Sequence, residues 1–357
     1  MAGEELKYVI ALGCLHYQNA RKIRGLIEGA GSAEKAWYRA EGERKAESMA
    51  HAERELEFIA RHGIKTYYYT DNAYPHRLRE CSDAPVLLFG KGELPLNEGK
   101  FVSVVGTRSA TERGKELTRR LVLDLAAKVP NVVIISGLAY GIDVAAHRAA
   151  LEAGIPTIII PAHGLDRVYP YLHRQVAVDA LAKGGILTEY PSETEPERGN
   201  FLARNRIVAG LADAVVIAES KLKGGALVTA YLACDYARNL YAFAGRPNDI
   251  NSQGCNALIR SSRAMLIDSA DDLIRDMQWE THRKETLQPE FEDLFMDMDN
   301  GEKQLLQLLR KAEDGMRVDD LVIETGMDYA QVAASLMALE MNGFVKTMPG
   351  NVYRAVR

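Results

Sequence analysis

Three stretches of this sequence carry the residue types that hold phosphate. They are Val105-Gly106-Thr107-Arg108-Ser109, Ser136-Gly137-Leu138-Ala139-Tyr140-Gly141-Ile142-Asp143, and Lys221-Leu222-Lys223-Gly224-Gly225. Each follows a short apolar run and precedes a stretch of helical periodicity. A turn that ends a strand and opens a helix aims unpaired backbone N–H groups outward, and the helix dipole favours an anion there. Arg108 stands directly after a strand-ending Gly-Thr, where its guanidinium can take phosphate in a bidentate fork. Lysines 221 and 223 can add point charge at the start of the helical stretch 226–238. A fourth cluster, Phe201 to Arg206, sets Arg204 and Arg206 around Asn205, with Phe201 as a ring on which a base could stack. Plainer readings compete. Gly106 and Gly137 fit any tight turn of a parallel sheet, Lys221 and Lys223 a solvated loop, Arg204 and Arg206 helix capping, and Phe201 a core. The repetition of glycine turns beside basic residues favours anion binding.

Other chemistry is poorly represented. There is no Ser-His-Asp set, no metal-spaced His/Glu cluster and no Walker A motif, so no catalytic residue, metal or cofactor is expected. No Gly-x-Gly-x-x-Gly follows a strand, which disfavours a dinucleotide enzyme. Asp143 and His147 lie about one helical turn apart and could form an acid–base pair. The reading preferred here has Asp143 bracing the turn and His147 packed inward. Cys14, Cys81, Cys234 and Cys255 show no paired spacing, so neither disulfides nor zinc are expected and a reducing cytoplasm fits. The first residues lack a basic region ahead of a long apolar one, and no apolar run reaches membrane length, so neither a signal peptide nor membrane insertion is expected.

These clusters must be positioned by the apolar runs before them. Phe101–Val105, Asn131–Ile135, Thr157–Ile160, Gly185–Glu189, Ala214–Ala218 and Leu240–Phe243 read as strands alternating with helices, and Ile64–Tyr69 and Pro85–Phe89 precede them. Continuous apolar strands with crossover helices make an α/β fold with a mainly parallel sheet buried on both faces. Ligands of such sheets sit at the carboxyl ends of the strands, where the glycine turns lie. The expected domains are a helical one over residues 1–62, an extended Rossmann-like one over 63–275, an acidic linker over 276–300, and a small domain over 301–357. The linker rests on Glu285, Glu290, Glu292, Asp293, Asp297 and Asp299. The last domain reads as helices 302–310, 318–325 and 329–341 followed by a hairpin around Pro349-Gly350-Asn351, the winged-helix pattern. Its third helix has no Lys or Arg, which argues against reading a DNA groove and for protein contact or packing.

Charge permits a polyanion only in the middle. The chain carries −5 overall, but residues 1–100 balance at zero, residues 101–270 stand at +3, and residues 271–357 at −8.

Five motifs in order carry a family resemblance. They are Val105-Gly106-Thr107-Arg108; Ser136 to His147; Gly164-Leu165-Asp166-Arg167-Val168-Tyr169-Pro170; Arg204 to Leu211; and Gly224-Gly225-Ala226-Leu227-Val228-Thr229-Ala230. Together they resemble the DNA processing protein A (DprA/Smf) family. The resemblance implies a helix-hairpin-helix or SAM-like N-terminal domain, a Rossmann-like DNA-binding domain and a winged-helix-like C-terminal one. It implies a non-catalytic protein that binds single-stranded DNA, protects incoming strands and loads the RecA recombinase during natural transformation, as a homodimer. It selects Lys223 over Lys221. The candidate phosphate-binding set is then Gly106, Thr107, Arg108, Ser136, Gly137, Arg204, Asn205, Arg206, Lys223, Gly224 and Gly225, with Phe201 for stacking. Two departures stand out. The N-terminal turn Leu15-His16-Tyr17-Gln18-Asn19-Ala20 has no glycine, so DNA binding there is not expected. Tyr140 occupies a slot where many relatives carry arginine, so one cationic contact is expected to be missing. The alternative is a nucleotide hydrolase of the lysine-decarboxylase-like phosphoribohydrolase type. Against it, Lys223-Gly224-Gly225-Ala226-Leu227-Val228-Thr229 lacks that family's proline and third glycine, and the downstream acid is Asp235 rather than glutamate.

Overall fold

Strand β3 (Lys100–Gly106) lies in the interior of a nine-stranded sheet, with β4 (Val132–Ser136) on one side and β7 (Ala214–Glu219) on the other, both parallel to it. The structure is a computed structural model, and it describes residues 3–281, 299–312, 315–348 and 352–355. The chain forms two compact units, Met1–His282 and Arg283–Arg357. The linker acids Glu285, Glu290, Glu292, Asp293 and Asp297, and the expected turn Pro349-Gly350-Asn351, lie outside the described residues.

Side chains along the central strands alternate between two cores, as the two-residue period of a strand requires. Phe101 and Val105 of β3, Val133 and Ile135 of β4, and Val215 and Ile217 of β7 face one core. Val102, Val104, Val132, Ile134, Ala214 and Val216 face the other. Helices α6 (Glu112–Lys128) and α7 (Ile142–Glu152) cover the second core, while α9 (Arg198–Gly210) and α10 (Gly225–Asp235) cover the first. Each fully buried Val, Leu or Ile contributes about 1.5–3 kcal/mol, so the two-sided burial holds the strand ends in fixed register.

From β3 the chain steps outward through β4, β5 (Thr157–Ile159) and β6 (Gly185–Thr188), all parallel. It then returns to place β7 on the other side of β3, followed by β8 (Asn239–Phe243) and β9 (Met265–Ile267). Strands β2 (Leu87–Gly92) and β1 (Lys65–Tyr68) extend the β6 edge antiparallel. The expected strands are thus present in a mainly parallel, Rossmann-like sheet, and β9 adds one that the sequence reading did not include. Arg77 ties this half together. Its guanidinium grips Asp213 through two bonds of 2.6 and 3.0 Å, and Asp213 accepts from the Phe101 amide at 2.8 Å.

The first four helices, α1 (Gly3–Leu15), α2 (Ala20–Ala30), α3 (Ala33–Arg39) and α4 (Lys45–His62), share an apolar core with Ile64, Tyr68, Val86, Leu87 and Phe89. Loop 190–197 is tied to α4, because buried Glu55 accepts from the Ser192 amide at 2.8 Å and from its hydroxyl. The described residues of the second unit begin at a capping box, in which Asp299 and Glu302 satisfy each other's amides, and continue as α13 (Asn300–Lys311), α14 (Val318–Thr325) and α15 (Tyr329–Met341). Its sheet pairs β10 (Met316–Arg317) and β11 (Val345–Met348) with β12 (Val352–Ala355), giving a winged-helix arrangement.

Candidate nucleic-acid interface

The reversal of strand order between β3 and β7 opens a crevice at their carboxyl ends, the place where open α/β sheets take ligands. A cleft of about 690 Å³ lies there, lined by residues 105–108, Gly137, Ala139 and Asp143, residues of α9, and residues 221–229. The turn after β3 is pinned on two sides. Thr107 donates its amide to the Glu219 carbonyl at 2.7 Å and accepts from the Ile142 amide at 3.3 Å. Gly106 is obligatory, because a Cβ there would stand 2.4 Å from Ile142 Cγ1 and 2.8 Å from the Glu219 carbonyl. Arg108 is carried outward by this turn and is exposed.

Glu219, at the end of β7, is the acid that could spoil an anion site here. It is buried under the start of α6, where Thr111 donates its amide at 2.9 Å and its hydroxyl at 2.6 Å to the carboxylate. Its charge is thus met by a helix N-terminus rather than turned on the cleft. Five described cations line the cleft: Arg108, Arg198, Arg204, Lys221 and Lys223, against the single acid Asp143. Burial raises the Asp143 carboxyl above its ordinary range, with Arg204 pulling the other way. Asp143 accepts from the Ala139 amide at 3.3 Å and so braces the turn.

The helix starts differ in what they offer. At α7 two of the starting amides are consumed internally, Ile142 on Thr107 and Val144 on Ala139. The start of α10 has Gly224 at its N-cap with no side chain capping it. Gly225 follows, exposed, and a Cβ there would meet nothing within 4 Å. Asn205 reaches across from α9 to the Gly225 carbonyl at 3.5 Å. The start of α10 is therefore left uncapped in a cleft that Lys223 and Arg108 also line.

Ten of the twelve expected residues meet in this cleft: Gly106, Thr107, Arg108, Gly137, Phe201, Arg204, Asn205, Lys223, Gly224 and Gly225. Two do not. Ser136 is fully buried and donates its hydroxyl to the Val104 carbonyl at 2.6 Å, so it locks β4 to β3 instead of facing the ligand side. Arg206 is turned away, paired with buried Glu189 and donating to the Asp83 carbonyl at 2.8 Å. Residues two apart on a helix point about 200° from each other, so Arg204 and Arg206 cannot both face one ligand. Arg204 itself is only 3% exposed and donates to the Ile160 carbonyl. Gly137 makes room for it, since a Cβ would fall 1.8 Å from Arg204 Nη1. Arg204 contributes field from below the floor rather than an exposed contact.

Phe201 is half-buried, with the Arg108 guanidinium 4.8 Å from its ring centroid. The sequence reading missed Arg198 and passed over Lys221. Arg198, Phe201, Leu202 and Asn205 fall at i, i+3, i+4 and i+7, one face of α9, so helical periodicity alone could have found Arg198. His147 is buried, with Nδ1 2.7 Å from the Thr157 hydroxyl, which itself donates to the Ile134 carbonyl. It packs inward, as expected, and forms no acid–base pair with Asp143. Among the described residues no group of three or more His, Cys, Asp or Glu could hold a metal ion. No helix of the described residues is long and apolar enough to cross a membrane.

Comparison with known proteins bears on this geometry. The sequence model of the DNA recombination-mediator protein A family matches residues 65–278, and that of the DprA winged helix domain matches residues 292–351. A protein named Smf from Synechocystis sp. is 31% identical over 84% of this chain and 83% of its own length. The X-ray structure of DNA processing protein A from Streptococcus pneumoniae superposes with a TM-score of 0.66 at 31% identity, covering 77% of this chain and 99% of that one. A Helicobacter pylori DNA processing protein A, whose structure addresses its single-stranded DNA binding mode, superposes with a TM-score of 0.54 at 32% identity, over 60% of this chain and 95% of its own.

Proposed function

The chain belongs to the DNA recombination-mediator protein A family of DNA-processing proteins, and from that premise we propose that it binds single-stranded DNA in the cleft between β3 and β7. The observation that carries the reading is the composition of the cleft. Arg108, Arg198, Lys221 and Lys223 are exposed around the uncapped start of α10, and the nearby Glu219 is buried and hydrogen-bonded to Thr111. Such a site takes phosphates of any sequence, and a strand without a partner leaves its bases free to stack on Phe201. The Helicobacter pylori relative supports the same choice of ligand. Binding of this kind needs no nucleophile and no metal.

The family premise extends the proposal to protecting incoming strands in the cytoplasm and loading the RecA recombinase during natural transformation, with the protein acting as a homodimer. The hydrolase alternative fits less well. Asp235, its downstream acid, ends α10 and does not line the cleft, about 15 Å along the helix from Gly225.

The test is a mobility-shift titration with single-stranded and blunt duplex oligonucleotides across a salt series. Single strands should bind more tightly, with log affinity falling linearly in log salt at about −0.7 per phosphate contact. Equal affinity for duplex, or an affinity indifferent to salt, would count against the reading.

A further inference from the structure

Loop 163–173 carries aromatic side chains that the described residues leave largely or half exposed. Tyr169 and Tyr140 are each 46% exposed, Tyr171 is 77% exposed, and Leu172 beside it is 74% exposed. None of the three phenol oxygens hydrogen-bonds to a described residue. Exposed apolar groups gathered in one place mark a contact surface rather than a random scatter. Two contacts connect this surface to the cleft. The Tyr169 ring lies 6.0 Å from that of Phe201, tilted at 58°, and Phe201 lines the cleft beneath Arg108. Tyr140 stands edge-on to His173 at 5.0 Å, and its neighbour Gly141 is packed so tightly under the turn that a Cβ would fall 2.2 Å from the Thr107 carbonyl. Tyr169 and Tyr140 therefore adjoin the Thr107–Arg108 turn through Phe201 and Gly141, and Tyr171 follows Tyr169 by two residues.

The loop is also prepared electrostatically. Its acid Asp166 and the facing Glu195 are both held by Arg167. Arg174, just past Tyr171–His173, is exposed and has no ion pair with a described residue. We propose that Tyr169, Tyr140 and Tyr171 form a stacking track on which the bases of a single strand rest as it leaves the cleft, its phosphates following Arg108 and Arg174. This rests on the single-strand reading of the cleft. A single strand is favoured over a protein partner because Tyr169 packs against Phe201 of the cleft and the exposed cations Arg108 and Arg174 have no ion pair with a described residue.

Stacking predicts a signature distinct from charge. It needs the base but releases no counterion, so it changes affinity without changing the salt slope. Tyr171→Leu alone and the Tyr169→Leu/Tyr171→Leu pair would be compared with wild type and with the matching Tyr→Phe variants. Anisotropy with oligothymidylate and with an abasic oligomer of equal length, across salt, reads both quantities. Thymidylate binding should weaken roughly tenfold in the Leu pair, in line with the loss of base–aromatic stacking. The abasic oligomer should be unaffected, the salt slope should hold, and Phe should restore affinity. Tyr171 is so exposed that its variant must fold, which keeps the test open if the pair does not. Equal loss on both oligomers, or no loss on thymidylate, would overturn the track while leaving the cleft intact. Unchanged DNA binding with altered sedimentation would assign the surface to a protein contact and overturn it too. A wild type that binds no single strand would defeat the cleft reading itself.

Discussion

Arg108 is exposed and ion-paired to nothing described, whereas Arg206 is held by Glu189 and the Asp83 carbonyl. The same side chain thus has two fates, and substitution should separate them. Arg108→Ala should weaken single-strand binding by about 1–3 kcal/mol and lower the salt slope by about 0.7, with the melting temperature unchanged. Lys223→Ala should cost less, since an ammonium on a flexible stem acts as a point charge. Arg206→Ala should instead strip the partner from a buried carboxylate and destabilise the fold by about 3–5 kcal/mol. The protein that remains folded should keep the wild-type salt slope. Thermal melts and binding isotherms on the three variants decide this. An Arg206 variant that melts normally yet loses a phosphate contact would show that the arginine leaves Glu189 to meet DNA.

At the scale of elements, the start of α10 offers a clean probe. Gly225 has open space where a Cβ would go, and alanine suits a helix start at least as well as glycine, so Gly225→Ala should leave stability unchanged or slightly raised. If phosphate comes up to this backbone, the added methyl should lower affinity several-fold, on the order of 1 kcal/mol. Unaltered binding would move the anion seat elsewhere. The α7–β5 contact sets a second expectation. Burial, with Arg204 adding to it, pushes the His147 imidazole down to about 3. An unfolded histidine takes a proton near pH 6.5 and the folded one does not. Stability should therefore fall as pH drops below about 6.5, at up to about 1.4 kcal/mol per unit for this group, until about pH 3. Urea unfolding at pH 7 and pH 5.5 should show a loss about 1 kcal/mol smaller in His147→Gln than in wild type, although the variant is weaker at both. Equal losses would mean that His147 is not held neutral.

For the molecule as a whole, the shared core between the first four helices and strands β1 and β2 sets where the chain can be divided. A cut at residue 62 would expose Val86, Leu87 and Phe89, which those helices cover. A fragment of residues 1–282 keeps that core and the cleft complete. It should fold and retain most single-strand affinity, because α15 of the second unit carries neither Lys nor Arg. Circular dichroism and the same binding titration test this. Loss of DNA binding by a folded 1–282 fragment would transfer the decisive contacts to the second unit.

Sequence by itself determined the alternation of strands and helices, because the continuous apolar runs of β3, β4 and β7 are written locally and each is closed by its own glycine turn. It also made most of the candidate cleft legible, since Gly106-Thr107-Arg108 and Lys223-Gly224-Gly225 have the residue types and spacing of a phosphate-binding turn and both line that cleft. It did not determine that β7 returns beside β3 and so brings those two turns to one crevice. That choice is made by burying both faces of the sheet at once, a property of strands far apart in the chain. Nor could it determine which arginine is free. Arg204 and Arg206 look alike in a row of letters, and only packing sends one under Gly137 and the other to Glu189. Two amides at the start of α7 likewise look open until the fold spends them on Thr107 and Ala139. Local pattern specifies what each residue can do. The partners that decide whether it does so come from elements that meet only when the chain is folded.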